Sequence, residues 1–165
     1  MNWDGYYLGI CKTVAENSKC MSRKIGAILV YDKSIISTGY NGPPRGVRDC
    51  SKGTGMYFHE SNPVSTKCPR SRRGYGSGEG LEWCVAGHAE RNSLINAARH
   101  GIKTNGSIMY MSCGIPCVPC LIEIINAGVV EIVCTETTTY DKEPSVTKYL
   151  LNNCDLKIRV YDELQ

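Results

Sequence analysis

Residues 88–134 read HAERNSLINAARHGIKTNGSIMYMSCGIPCVPCLIEIINAGVVEIVC. The apolar pattern changes period along this stretch. His88 to His100 has helical spacing and meets Gly101, a helix C-terminal stop. Gly106 to Ser112 is rich in strand formers and predicts a β-strand. Cys117 to Ala127 is helical again, with Pro116 in first-turn position and Gly128 as its stop. Val129 to Cys134 predicts another strand. Helices alternating with strands over short links imply an α/β fold, in which the helices cover a sheet.

Working outward, Tyr6 to Glu16 places Tyr7, Ile10, Cys11, Val14 and Ala15 on one helical face. Lys24 to Tyr31 and Ser34 to Tyr40 are β-rich runs joined by the polar pair Asp32-Lys33, so 24–40 reads as a hairpin. Asn41-Gly42-Pro43-Pro44-Arg45-Gly46 ends it abruptly. From about 41 to 80 the chain is rich in Gly, Ser, Pro and Arg, without periodicity. Loops this long inside a compact domain are usually functional or disordered. This one carries Cys50, His59 and Cys68. Pro144 to Asn152 predicts a short helix and Leu156 to Tyr161 a last strand. The expected architecture is a three-layer α/β/α sandwich with a mixed five-stranded sheet and helices on both faces. With no repeat and no linker, residues 1–165 read as a single domain with a long inserted loop at about 41–80.

Composition narrows the function. The hydrophobic fraction of 42% is that of an ordinary globular chain, and 165 residues bury a sizeable core. A net charge of +3 suits a phosphorylated small ligand and does not demand nucleic acid. No apolar run approaches the roughly 18–20 residues of a membrane span. Met1 to Tyr7 lacks the basic-then-apolar order of a signal peptide, so the expected location is the cytoplasm. A reducing compartment keeps the ten cysteines available as ligands.

The chemistry concentrates in His88-Ala89-Glu90 and Pro116-Cys117-Val118-Pro119-Cys120. Cys117 and Cys120 lie three apart at a helix start, where their sulfurs share a face and the helix end favours thiolate. With His88 they supply three zinc ligands, leaving a fourth tetrahedral position for water. Glu90, two residues past His88, is placed to move that water's proton. A structural zinc knuckle completed by another cysteine is the alternative, but it gives Glu90 no task.

These residues are the zinc-deaminase signature, and the chain resembles the cytidine deaminase superfamily. More segments match its deoxycytidylate (dCMP) deaminase branch, the phage enzymes above all: Ser18 to Ala27, Ile36 to Gly46, His88 to Asn92, and Tyr110-Met111-Ser112 leading into Pro116 to Cys120. The resemblance implies hydrolytic deamination of dCMP to dUMP and ammonia. It also implies a homo-oligomer, usually a hexamer, activated by dCTP and inhibited by dTTP, with Mg²⁺ accompanying the triphosphate. Residue by residue, it makes His88, Cys117 and Cys120 the zinc ligands and Glu90 the proton shuttle. It sets Asn41 on the deoxyribose and Ser22, Arg23 and Lys24 on the 5′-phosphate. A hydroxyl beside two cations suits a dianion independently of the resemblance, although Arg23 and Lys24 also read as solvated surface charges. Ser112 through its backbone is expected near the base; Tyr140 either stacks on the base or caps the core. Asn41, Gly42, Arg45 and Arg99 are expected at an effector site, with a plain tight turn and an ordinary surface charge as the alternatives.

Among the remaining cysteines, Cys11, Cys113, Cys134 and Cys154 fall in apolar settings and read as small buried hydrophobes. Some phage relatives carry a second, structural zinc on cysteines that align with Cys20 and Cys50. Cys84 is the expected third ligand, with His59 or Cys68 as the fourth; unligated thiols are the alternative. Other functions open at this point are a different deaminase (of dCTP, free cytidine or tRNA adenosine) and a zinc-stabilised nucleotide-binding module without catalysis.

Overall fold

The structure is a computed structural model, and it describes residues 2–50, 68–76, 78–139, 141 and 144–161. Helix α1 (Trp3–Ala15) leads into strands β1 (Gly26–Tyr31) and β2 (Ser34–Tyr40). A helical turn α2 (Pro69–Arg72) and a 3₁₀ turn (Leu81–Trp83) precede helix α3 (Ala89–Arg99). Then follow β3 (Ile108–Met111), α4 (Val118–Asn126), β4 (Glu131–Cys134), α5 (Ser145–Asn152) and β5 (Lys157–Val160).

The five strands lie in the order β2-β1-β3-β4-β5. The hairpin pairs β1 with β2 antiparallel, and β3 joins β1 antiparallel. The helical crossovers make β3, β4 and β5 mutually parallel. The sheet is therefore mixed, as expected. Asp32 and Lys33 both take positive φ, 45° and 59°, which is the turn whose twist suits a two-residue hairpin.

Strand alternation sorts the core into two layers. Ile28, Val30, Tyr110 and Val133 face α1, where they meet Tyr7, Leu8 and Cys11. Ala27, Leu29, Met109, Met111 and Ile132 face the other way, onto Ala89 and Ala97 of α3 and Leu121 and Ile124 of α4. Both faces of β1 are thus covered, and its first five residues are buried. Two glycines permit the close approach of helix to sheet. A Cβ at Gly39 would lie 2.3 Å from Ser93 N and 2.4 Å from Ala89 O, on α3. One at Gly26 would lie 2.1 Å from Cys11 O, on α1.

Several boundaries differ from expectation. Helix α1 starts at Trp3 because Asn2 Oδ1 accepts from Gly5 N at 2.7 Å, capping a turn with no apolar pattern. Helix α4 starts after Cys117, and the proline in its first turn is Pro119; Pro116 is buried ahead of the cap. Strand β1 begins at Gly26 and β5 at Lys157, each shorter than the β-rich run containing it. Residues 69–72, inside the stretch read as irregular, and 81–83, just past it, form single turns too short to show a period. No helix among the described residues is long and apolar enough to cross a membrane.

Candidate active site

Two helix N-termini converge on one point. His88 is the N-cap of α3 and Cys117 the N-cap of α4, both in extended conformation. Their carbonyls accept the first helical bonds, from Asn92 N at 3.0 Å and Leu121 N at 2.9 Å. Cys120 is fully buried on the first turn of α4. His88 Nδ1 lies 3.4 Å from Cys117 Sγ and 3.3 Å from Cys120 Sγ. The three ligating atoms all fall within 4.8 Å of one another, the one such cluster among the described residues. A zinc bonded at about 2.0–2.1 Å to nitrogen and 2.3 Å to sulfur holds such pairs about 3.5 Å apart. The donor set and its spacing fit zinc, and the metal-facing nitrogen of His88 is Nδ1.

The electrostatics favour an anionic sulfur. Hydrogen bonds from Cys120 and His88 pull the Cys117 thiol well below the ordinary thiol range. Cys120 moves the opposite way, because its proton is shared with Cys117 and it is buried. The Cys117 hydrogen bond raises His88. The two helix dipoles add to the stabilisation of negative charge here.

Glu90 is 5% exposed, on the first turn of α3. Burial pushes its carboxyl above the usual range, while the charge of His88 draws it back in part. A carboxyl whose proton affinity is raised by burial is better suited to take up and hand over a proton than an exposed one. Ser93 Oγ donates to the Glu90 carbonyl at 2.7 Å and in turn Ser37 Oγ donates to the Ser93 carbonyl at 2.7 Å, which ties this turn to β2.

The turn after β2 is strapped to the residue before His88. Gly42 N donates to Gly87 O at 3.1 Å and Gly87 N to Gly42 O at 2.8 Å. Asn92 Nδ2 donates to Tyr40 O at 2.8 Å. Asn41, 7% exposed, is the hub of the 18–25 segment. Its Oδ1 accepts from Ser18 Oγ at 2.8 Å and from Ile25 N at 2.9 Å. Its Nδ2 donates to Arg23 O at 2.8 Å. These bonds leave its amide at most one N–H for a ligand.

The Ser22-Arg23-Lys24 cations point in different directions. Lys24 Nζ pairs with Glu16 Oε2 at 3.1 Å, beyond the end of α1. Arg23 Nη2 lies 3.8 Å from Glu136 Oε1, on the loop after β4. Ser22 is exposed. Ser112 is built into the sheet: its Oγ accepts from Gly26 N at 2.9 Å and its N donates to Gly26 O at 3.0 Å. Arg45 Nη1 and Nη2 donate to Asn96 Oδ1 at 3.2 and 3.0 Å, on the outer side of α3, and the exposed Arg99 follows on its last turn. Tyr140 and His59 lie outside the described residues.

The remaining cysteines divide as expected for Cys11, Cys113 and Cys134, which are buried; Cys154 is half-buried. Cys50, half-buried, is raised to about 11, first by burial and then by the nearby thiols of Cys84, Cys68 and Cys20. Sequence reading passed over Ser18, Asn92 and Glu136. The first two lie within the segments that carried the resemblance, and nothing local marks Glu136.

Residues 1–136 match the family described as the cytidine and deoxycytidylate deaminase zinc-binding region. The deoxycytidylate deaminase of Mycobacterium phage D29 is 34% identical over 137 residues, covering 80% of this chain and 93% of that protein. That of Schizosaccharomyces pombe is 32% identical over 97% of this chain but only 44% of its own length. The chain thus spans under half of that relative. Among solved structures, the dCMP deaminase of cyanophage S-TIM5 in complex with dCMP and dUMP has the same fold, with a TM-score of 0.66 at 22% identity and 95% of each chain covered. On the match to residues 1–136 and the converged His88, Cys117 and Cys120, the chain belongs to the cytidine and deoxycytidylate deaminase zinc-binding family.

Proposed function

We propose that residues 1–165 form one deaminase domain that hydrolyses dCMP to dUMP and ammonia. The observation that carries this reading is the buried Glu90 beside the His88, Cys117 and Cys120 cluster. Those three residues would hold the metal; a zinc there would supply a water acidified enough to serve as a nucleophile at neutral pH. Glu90 takes a proton from that water as its oxygen attacks C4 of the pyrimidine, and delivers it to N3. The carboxylate then takes the remaining proton from the added oxygen and passes it to the exocyclic nitrogen, which leaves as ammonia. Burial supports this role, since it brings the carboxyl's affinity for a proton closer to that of its partners.

Asn41 and Arg23 are the proposed sugar and phosphate contacts, with Ser22, Lys24, Ser112 and Tyr140 as further members of the substrate site. The hydrogen bonds from Asn41 to the 18–25 segment support a single preformed unit. The test is turnover of dCMP beside deoxycytidine, together with Glu90→Gln. The variant keeps its zinc and loses about 10²-fold to 10⁴-fold or more in kcat. Retained activity in Glu90→Gln refutes the proton-shuttle role, and equal turnover of deoxycytidine refutes the monophosphate.

Regulation by dCTP as activator and dTTP as inhibitor, with Mg²⁺ on the triphosphate and a homo-hexamer as the assembly, belongs to the same proposal. Its support is the contact of Arg45 with Asn96, three residues before Arg99 on α3, and Gly42 strapped to the residue before His88. A second zinc on Cys20, Cys50 and Cys84, with His59 or Cys68 as the fourth ligand, is proposed on the electrostatic influence of the Cys84, Cys68 and Cys20 thiols on Cys50. No three of these four sulfurs lie within 4.8 Å of one another in this structure, so the metal would have to draw them together. Metal analysis then finds two zinc ions per chain, and one after Cys50→Ser. One zinc per chain, unchanged by that substitution, rules the second site out. The ten free thiols are in keeping with a cytoplasmic enzyme.

A further inference from the structure

The loops after β3 and β4 run side by side at the carboxyl ends of two parallel strands, the end at which α/β sheets bind ligands. Thr135 N donates to Cys113 O at 3.1 Å and Ile115 N to Thr138 O at 2.9 Å. Gly114 makes the approach feasible, because a Cβ there would lie 2.2 Å from Thr138 O. This pairing fixes the start of the post-β4 loop against the segment that leads to Cys117. Glu136 sits on that loop, its carbonyl accepting from Cys134 Sγ at 3.4 Å, with its side chain about half exposed.

Glu136 faces Arg23 across the rim, with Oε1 and Nη2 3.8 Å apart. Arg23 is therefore held at two levels: its carbonyl by Asn41 and its guanidinium by Glu136. The buried Cys113 thiol feels Glu90, Arg23 and Glu136 together. The ion pair and the proton-transferring carboxyl thus belong to one end of the sheet.

We propose that Glu136 is a specificity-determining residue, a carboxylate beside Arg23 that admits a monophosphate while repelling a longer phosphate chain. The proposal rests on reading Arg23 as the phosphate ligand. A half-exposed pair at this distance is weak, so a dianion bonding the guanidinium through a charge-assisted fork displaces it readily. The carboxylate then remains beside the bound phosphate, and its repulsion grows with each further negative charge on the ligand.

The test compares KM for deoxycytidine, dCMP and dCDP in the zinc-loaded protein and in Glu136→Gln, Glu136→Asp and Arg23→Ala. Glu136→Gln is expected to lower KM about 3-fold for dCMP and about 10-fold for dCDP, with a smaller change in kcat. KM for deoxycytidine stays put, and the dCDP gain fades as salt shortens the Debye length to about 3 Å near 1 M. Glu136→Asp keeps the charge and retains the wild-type preference. Equal shifts for all three compounds, or an unchanged ratio of dCDP to dCMP, overturn the proposal. If Arg23→Ala leaves KM for dCMP unchanged, the phosphate assignment falls and takes Glu136 with it. If Arg23→Ala raises KM while Glu136→Gln leaves the ratio alone, only the Glu136 inference fails.

Discussion

Asn41→Ala removes a side chain that ties three parts of the 18–25 segment to the turn after β2. Three hydrogen bonds disappear, those with Ser18 Oγ, Ile25 N and Arg23 O. At about 1 kcal/mol net for each bond, the loss is about 3 kcal/mol. The Ile25 N–H and Arg23 C=O lie in part-buried surroundings and lose their partner, which brings the total to about 3–5 kcal/mol. That is a large share of a stability of about 5–15 kcal/mol. A domain of this size loses about 2–4 °C in Tm per kcal/mol, so the expected drop is about 6–20 °C. The second effect is on ligand binding, since Arg23 no longer has its main chain held, and KM for dCMP rises with it. Urea unfolding and thermal scans of zinc-loaded protein, run beside steady-state kinetics, read both effects. A variant that unfolds within 1 kcal/mol of wild type while KM alone rises refutes the reasoning, because Asn41 would then serve the ligand and not the segment.

Gly39→Ala forces a methyl group into the α3 backbone at Ser93 and Ala89, which cannot rotate aside. It is expected to cost about 1–3 kcal/mol and, by shifting His88 and Glu90 against α4, about 10²-fold in turnover; wild-type activity contradicts this. Asp4 lies well below the ordinary carboxylate range, chiefly through its hydrogen bonds from Arg159. A depressed folded-state pKa stabilises above the unfolded value and loses that effect as pH falls through the folded one. Asp4→Asn therefore costs about 1 kcal/mol at pH 7 after allowing for solvent screening, and its urea curve converges with wild type as the pH falls through the lowered pKa of Asp4; a gap constant with pH refutes the assignment. Stripping the metal with a strong chelator abolishes turnover and opens Cys117 to alkylation, both reversed by zinc. Chelator-resistant alkylation protection there speaks against Cys117 as a ligand.

Period and punctuation were enough to place most of the elements. Gly101 and Gly128 take positive φ, 64° and 74°, just past α3 and α4, as helix stops read from sequence should. The first turn of α1 was hidden because Trp3 is 55% exposed and contributes nothing to an apolar stripe. Pro119 and Pro116 were confused because both stand near a helix start, and only the cap geometry separates them. The metal ligands were legible because His88 with Glu90, and Cys117 with Cys120, each act over a single helical turn.

The order of elements and the His/Cys/Cys donor set with its acidic neighbour were legible in the sequence alone, since local periodicity marks each element and each half of the donor set falls within one helical turn. Which nitrogen of His88 faces the sulfurs, how Lys24 and Arg23 part company, and that Glu136 meets Arg23 were decided only by the tertiary structure. Those relations join residues far apart in sequence, through loops whose paths are set by packing against the sheet and carry no local pattern of their own.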